Sequence, residues 1–120
     1  MKIKKPIIIV LGEPNSIFTE ILSKVLNKKS IKKKINYPII LIGSQKLLRT
    51  QLKKLKKNLF FETIEEKNLN FSKLKKKIYL IDVHYKFKKA FEKISFKSKS
   101  YLSNCFKKGL KIINSNSADI

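Results

Sequence analysis

Residues 6–16 read Pro-Ile-Ile-Ile-Val-Leu-Gly-Glu-Pro-Asn-Ser, and this stretch decides the fold. Ile7 to Leu11 is an unbroken apolar run, rich in β-branched side chains, opened by a proline and closed by Gly12. Such a run reads as a strand buried on both faces, the pattern of a parallel sheet. Gly12 to Ser16 then supplies turn chemistry, and Asn15 or Ser16 is placed to cap the next helix. Ile17, Phe18, Ile21, Leu22, Val25 and Leu26 follow at helical spacing, so a helix is expected to run from Ile17 to near Asn27. Lys28 to Lys34 is a basic, loop-like run at that helix's C-terminal end, where the helix dipole favours cations.

The same unit recurs further along. Pro38 introduces Ile39-Ile40-Leu41-Ile42, a second buried strand ended by Gly43, and Ser44 is placed to cap a helix with Leu47, Leu48, Leu52 and Leu55 on its apolar face. Leu59 to Ile64 is a third, weaker strand, residues 65–77 are polar and loop-like, and Ile78 to Val83 is a further strand. A helix over Ser98 to Ile113 follows, its apolar face expected to hold Leu102, Cys105, Phe106, Leu110 and Ile113. Strand and helix alternating across short glycine turns specify an α/β fold, with a parallel or mixed sheet flanked by helices. Ser117-Ala118-Asp119-Ile120 reads as the approach to another strand. The sheet is therefore expected to be incomplete at the C-terminus, residues 1–120 being the N-terminal portion of a larger α/β domain with no second domain.

Composition narrows the function. The 120 residues carry 29 basic and 8 acidic side chains, a formal charge of +21, which ordinarily points to a polyanionic partner. Arg49 is the only arginine, however, and arginine is the usual reader of guanine edges and the bidentate clamp on phosphate. Abundant Ile and Asn with scarce Ala match an AT-rich coding sequence, which enriches lysine whatever the function. Nonspecific nucleic-acid binding through lysine–phosphate contacts thus stands as the alternative reading, not the leading one. No apolar run is long enough to span a bilayer. The single cysteine excludes an internal disulfide framework and suits a reducing cytoplasm, and one histidine with one cysteine argues against a self-contained zinc site.

In open α/β sheets ligands bind beyond the carboxyl ends of the strands. Gly12, Glu13, Pro14 and Asn15 form the candidate ligand loop there, with Gly43-Ser44 a second strand end. Glu13 sets a carboxylate between a flexible glycine and a rigid proline ahead of a helix N-terminus. That carboxylate suits a hydroxyl, an ammonium or a metal-linked water better than a phosphate. His84 and Asp82 read as loop or capping residues, Cys105 as a buried inert thiol, and the aromatic residues among the lysines of 85–106 as core.

The quoted stretch and its continuation through Phe18-Thr19-Glu20 resemble the N-terminus of the 4-hydroxythreonine-4-phosphate dehydrogenases, which begin with a strand and a G-[DE]-P-x-G-[IV]-G-P-E turn. Gly12, Glu13, Pro14, Ile17 and Glu20 agree with that pattern. Ser16 and Phe18 stand where it has glycines, and Thr19 where it has proline. Pro38 to Leu48 is similar to the family's second strand and helix, and Lys93 to Ile120 to the helix leading into a later strand. The resemblance implies a fold like that of the isocitrate and isopropylmalate dehydrogenases. It also implies an NAD-dependent oxidation of 4-phosphooxy-L-threonine in pyridoxal phosphate biosynthesis, in which the secondary alcohol loses hydride and the resulting β-keto acid decarboxylates. A divalent metal that polarises the alcohol, a small phosphorylated amino-acid substrate and a homodimer are implied with it. Glu20 joins the candidate loop residues by this route. The chain stops before the family's metal-binding histidines and phosphate-binding residues, so no catalytic or metal residue is carried over, and the chain alone is expected to be inactive.

Overall fold

Four β-branched or leucine-rich segments pair side by side in one parallel sheet. The computed structural model describes residues 5–12, 14, 18–28, 37–91, 93 and 95–117. In chain order the elements are β1 (Ile7–Val10), α1 (Phe18–Asn27), β2 (Ile39–Gly43), α2 (Gln45–Leu55), β3 (Glu62–Thr63), two single 3-10 turns (Glu66–Asn68 and Phe71–Lys73), β4 (Ile78–Asp82) and α3 (Phe96–Ser117). The sheet order is β1-β2-β4-β3, and every pairing is parallel. The α/β expectation therefore holds, with the sheet parallel and not mixed.

Side-chain alternation in the strands divides the core into two halves. Ile9, Ile39, Leu41, Ile78 and Leu80 face one way and pack with Leu22 and Leu26 of α1 and Leu48 and Leu52 of α2. Ile8, Val10, Ile40, Ile42, Tyr79 and Ile81 face the other way and pack with Tyr101, Cys105 and Ile112 of α3. Progress from β1 through β2 to β3 puts α1 and α2 on one face. The return from β3 to β4 crosses the other face, where Ile64, Leu69, Phe71 and Leu74 cover the core. Right-handed crossovers produce this arrangement. Residues 65–77 are thus irregular, as expected, yet fastened to the core through Leu69, Phe71 and Leu74.

Only β2 is buried along its whole length, because β1 pairs with four of its residues, β4 pairs with all five, and helices cover both faces. β1 was expected to be buried on both faces. It is instead an edge strand, with Ile7 49% exposed, since it pairs with β2 alone among the described residues. β3 shrinks to two residues at the opposite edge, where its ladder to β4 has only Glu62 and Thr63 to use.

Two helical faces differ from the apolar spacing. On α1 the buried residues are Thr19, Leu22, Ser23 and Leu26, whereas Ile21 and Val25 are exposed. Thr19 turns inward to hydrogen-bond across to α2, and that bond fixes the rotation of α1. On α3 the buried line is Ser98, Tyr101, Cys105, Gly109 and Ile112, while Phe106, Leu110 and Ile113 are exposed. Gly109 lies on this line facing the sheet: a Cβ there would lie 3.4 Å from Ile42, 3.6 Å from Val10 and 3.8 Å from Ile8, at ordinary contact distance. α3 also outruns its expected limits at both ends, and Ser117 is its last residue, not the beginning of a strand. Residues 118–120 lie outside the described residues, as does most of the Lys28 to Lys34 run.

A Cβ on Gly43 would overlap the Leu11 side chain and lie 2.8 Å from the Tyr101 hydroxyl oxygen. Gly43→Ala should therefore destabilise the chain by about 2 kcal/mol. Gly109→Ala should be neutral or stabilising by up to about 1 kcal/mol, because the added methyl meets ordinary contacts and improves helix propensity. Urea denaturation of the two variants reads both signs.

Glu66 accepts a 2.7 Å hydrogen bond from Lys108, with Lys111 at 3.6 Å, and so clamps the β3–β4 connection to α3. The Lys108 hydrogen bond, outweighing partial desolvation, lowers the Glu66 pKa from its ordinary value. Its stabilisation is therefore complete above the ordinary carboxylate range and is lost as pH falls through the depressed value. Lys108→Met should remove that part of the acid-side loss of stability, a contribution of at most about 1 kcal/mol for so exposed a pair, as read from denaturation midpoints between pH 2 and 6.

Candidate functional site

At the carboxyl end of the sheet three chain segments meet: the turn after β1, the β2–α2 junction, and the segment that leaves β4. Gly12 continues β1 into the turn, and the Leu11 amide still donates to the Ile42 carbonyl at 2.9 Å. A Cβ on Gly12 would lie 3.0 Å from the Phe18 ring, so this aromatic fills the space over the glycine. Pro14 is buried. Its carbonyl accepts a 2.9 Å hydrogen bond from the Gln51 side-chain amide.

Gln51 is the organising residue of this end. It is 4% exposed, on the inner face of α2. Its nitrogen also donates to the Ala90 carbonyl at 2.8 Å, and its oxygen accepts from the Thr19 hydroxyl. One buried amide therefore joins α1, α2, the turn after β1 and the segment after β4. That last segment begins on the α3 face, where Tyr85 stacks on Tyr101 with ring centroids 4.5 Å apart. It ends at Ala90 beside Gln51, and so passes over the carboxyl end of the sheet from one face to the other.

The second strand end is closed by the protein's own groups. Ser44 caps α2 as expected: its hydroxyl accepts from the Leu47 amide at 3.1 Å. The Ser44 amide donates to the Tyr101 hydroxyl at 2.7 Å, and the Gln45 amide to the Asp82 carboxylate at 2.8 Å. With the Leu48 amide bonded to the Ser44 carbonyl, most of the orphan donors at this helix N-terminus are taken. Asp82 supplies the negative charge that such a terminus attracts. The junction after β2 is therefore an internal cap and not an anion cradle.

Of the candidate loop residues, the structure brings Gly12 and Pro14 together at the mouth. Glu20 lies in the first turn of α1 and pairs with Lys24 at 3.4 Å, on the helix surface. Glu13 and Asn15, with the capping candidate Ser16, lie outside the described residues. His84 is exposed, and Cys105 is fully buried. Burial pushes the Cys105 thiol up to about 11, against a lowering by the Tyr101 hydroxyl, so it is a thiol and not a nucleophilic thiolate at neutral pH. Among the described residues no group of three His, Cys, Asp or Glu could hold a metal ion, so they do not fit the divalent metal that the resemblance implies. No helix of the described chain is long and apolar enough to cross a membrane.

Gln51, Thr19 and Tyr101 escaped the sequence reading. The available signal was a glutamine at position 51 within the apolar stripe of Leu47, Leu48, Leu52 and Leu55, three residues from Leu48 and four from Leu47 and Leu55. Searches against protein-family models and against curated proteins return no match for this chain.

Gln51→Leu removes the amide while preserving volume, leaving the Pro14 and Ala90 carbonyls buried without this donor. A loss of about 2–3 kcal/mol is expected. Amide hydrogen exchange should accelerate at Gly12 and across 88–91 well before it does in β2.

Proposed function

We propose that this chain is the amino-terminal part of an NAD-dependent dehydrogenase that oxidises 4-phosphooxy-L-threonine in pyridoxal phosphate biosynthesis. The observation that carries this reading is the position of the Gly12–Pro14 turn. It leaves the carboxyl end of β1 in a wholly parallel sheet and is tied through Gln51 to the segment that crosses the same end. That is where open α/β sheets bind their ligands. The order of elements is compatible with the resemblance: β1, the described turn residues Gly12 and Pro14, α1 from Phe18, then β2, its capping Ser44 and α2.

Two exposed apolar surfaces support a larger enzyme around this unit. β1 has an outer edge with no paired strand among the described residues, and α3 exposes Phe106, Leu110 and Ile113. α3 lies across β2 and β1, so a right-handed crossover from it leads to a strand beside β1. Such a strand would cover both surfaces.

In this reading the chain's own residues have a limited task. Gly12 and Pro14 present backbone at the mouth of the sheet, Gln51 holds the Pro14 carbonyl, and the Phe18 ring occupies the space above Gly12. A ligand meets the rim of the turn, since the Phe18 ring prevents close approach over the glycine itself. The metal-dependent part of the chemistry falls to residues other than those described, and the chain alone is expected to give no turnover.

The test is a titration of the chain with 4-phosphooxy-L-threonine and with NAD, followed by amide chemical shifts. Responses centred on Gly12, Phe18 and Glu20 are expected. Glu13→Ala should abolish them with an unchanged melting temperature. Millimolar ligand that leaves these amides unmoved would overturn the assignment of the turn.

A further inference from the structure

We propose that a cationic depression at the C-terminal end of α2, remote from the carboxyl mouth of the sheet, is a binding site for phosphate oxyanions. The depression has a volume of about 260 Å³ and is lined by Arg49, Leu52, Lys53, Lys57, Asn58 and Leu59. Leu52 and Leu59 are buried and form its floor, and three cations stand around it with no carboxylate among the lining residues. A water's share of liquid is about 30 Å³, so the space admits a group far larger than a single water.

The arrangement is built from the sequence in two steps. Arg49 and Lys53 are four residues apart on α2 and therefore share a face. Lys56 then adopts the left-handed conformation, φ 55°, and turns the chain so that Lys57, Asn58 and Leu59 close the other side. Lys56 and Lys57 amides cap the last carbonyls of the helix. Asn27 of α1 donates its side-chain amide to the Asn58 carbonyl and braces the rim.

Arg49 is held in place rather than left as one more surface cation. Its guanidinium lies 4.6 Å from the centroid of the Phe61 ring. With the Gln45 amide oriented to satisfy its surroundings, the Gln45 oxygen accepts from Arg49 Nε at 3.1 Å and from a terminal nitrogen at 3.3 Å. The only arginine in a lysine-rich chain is thus stacked and hydrogen-bonded at the edge of this depression.

The energetics argue for an occupant. Like charges four apart on a helix are mutually destabilising, and Arg49 cannot relieve the repulsion by losing its proton. The partial negative charge of a helix C-terminus, about half a unit, offsets only part of three formal positive charges. A phosphate oxyanion offsets much of the remainder, and the guanidinium N–H groups that Gln45 does not take can donate to it. Such a group can come from a small polyphosphate or from a nucleic-acid backbone.

The test uses the intact chain at 0.15 M salt, with inorganic pyrophosphate as one probe and a short single-stranded oligonucleotide as the other. Pyrophosphate should move the amides of residues 49–61, and Arg49→Gln should weaken its binding at least tenfold. Lys53→Gln with Lys57→Gln is the second variant, expected to weaken it to a similar degree. Lys75→Gln with Lys76→Gln removes as much charge outside the depression. Because charges are screened over about 8 Å at this salt, it should change binding less than twofold. If the oligonucleotide binds more tightly than pyrophosphate with the same Arg49 dependence, the site stands and its ligand is a nucleic-acid backbone. Binding that ignores Arg49, or that falls equally in the Lys75/Lys76 variant, overturns the proposal. Because pyrophosphate is neither substrate nor cofactor of the proposed oxidation, its failure to bind leaves the reading of the Gly12–Pro14 turn intact.

Discussion

Leu11 and Tyr101 close on Gly43 from the two faces of the sheet, and the molecule depends on that position having no side chain. Gly43 ends the central strand, pairs with Asp82 across the ladder and precedes the cap of α2. Because the Tyr101 hydroxyl can approach it, α3 is bonded to the Ser44 amide at 2.7 Å. Because Asp82 stands opposite it, the β4 end reaches the Gln45 amide. A single missing methyl thus lets three elements share one helix cap, and it does so at the end of the sheet where the turn after β1 must be held.

What the sequence made legible follows from how each signal arises. β2 with Gly43 and Ser44 is written in adjacent residues: a β-branched run, a glycine and a capping hydroxyl act locally, and all three appear as read. β1 was legible as a strand but not as an edge, because its burial depends on neighbours that the sequence does not order. The face of α3 was misread for a related reason. Apolar spacing favours Phe106, Leu110 and Ile113, yet the helix packs through Ser98, Tyr101, Cys105, Gly109 and Ile112, a line in which small and polar residues break the apolar pattern. On α1 the hydroxyl of Thr19 outweighed Ile21 for the same inner position, since its partner Gln51 lies 32 residues away and no local pattern announces it.

The candidate turn was visible as a turn because glycine and proline impose their geometry alone. That its carbonyl is gripped by a buried glutamine was not visible, because a buried polar contact is a property of two distant segments. Buried amides of this kind are costly to break and specify one arrangement when fully satisfied. Gln51 uses both its oxygen and its nitrogen, the latter twice, so Thr19, Pro14 and Ala90 are held to one side chain at the mouth of the sheet. Phe18 acts on the same turn, its ring filling the space over Gly12 while packing against the core of the α1–α2 face.

The two ends of the sheet therefore treat charge in opposite ways. At the carboxyl end the polar groups are matched internally: Asp82 answers the dipole of α2, Gln51 answers two carbonyls, and Tyr101 answers the Ser44 amide. At the other end of α2 the cations outnumber anything facing them, and the one arginine is fixed on an aromatic ring. A background excess of lysine would spread charge over the surface without orienting any of it. Stacking and hydrogen bonding of Arg49 at a concave site is a different kind of order, since each contact restricts a long side chain whose freedom is worth roughly 2 kcal/mol. The net charge of +21 is therefore a poor guide by itself; the informative quantity is where a cation is held still.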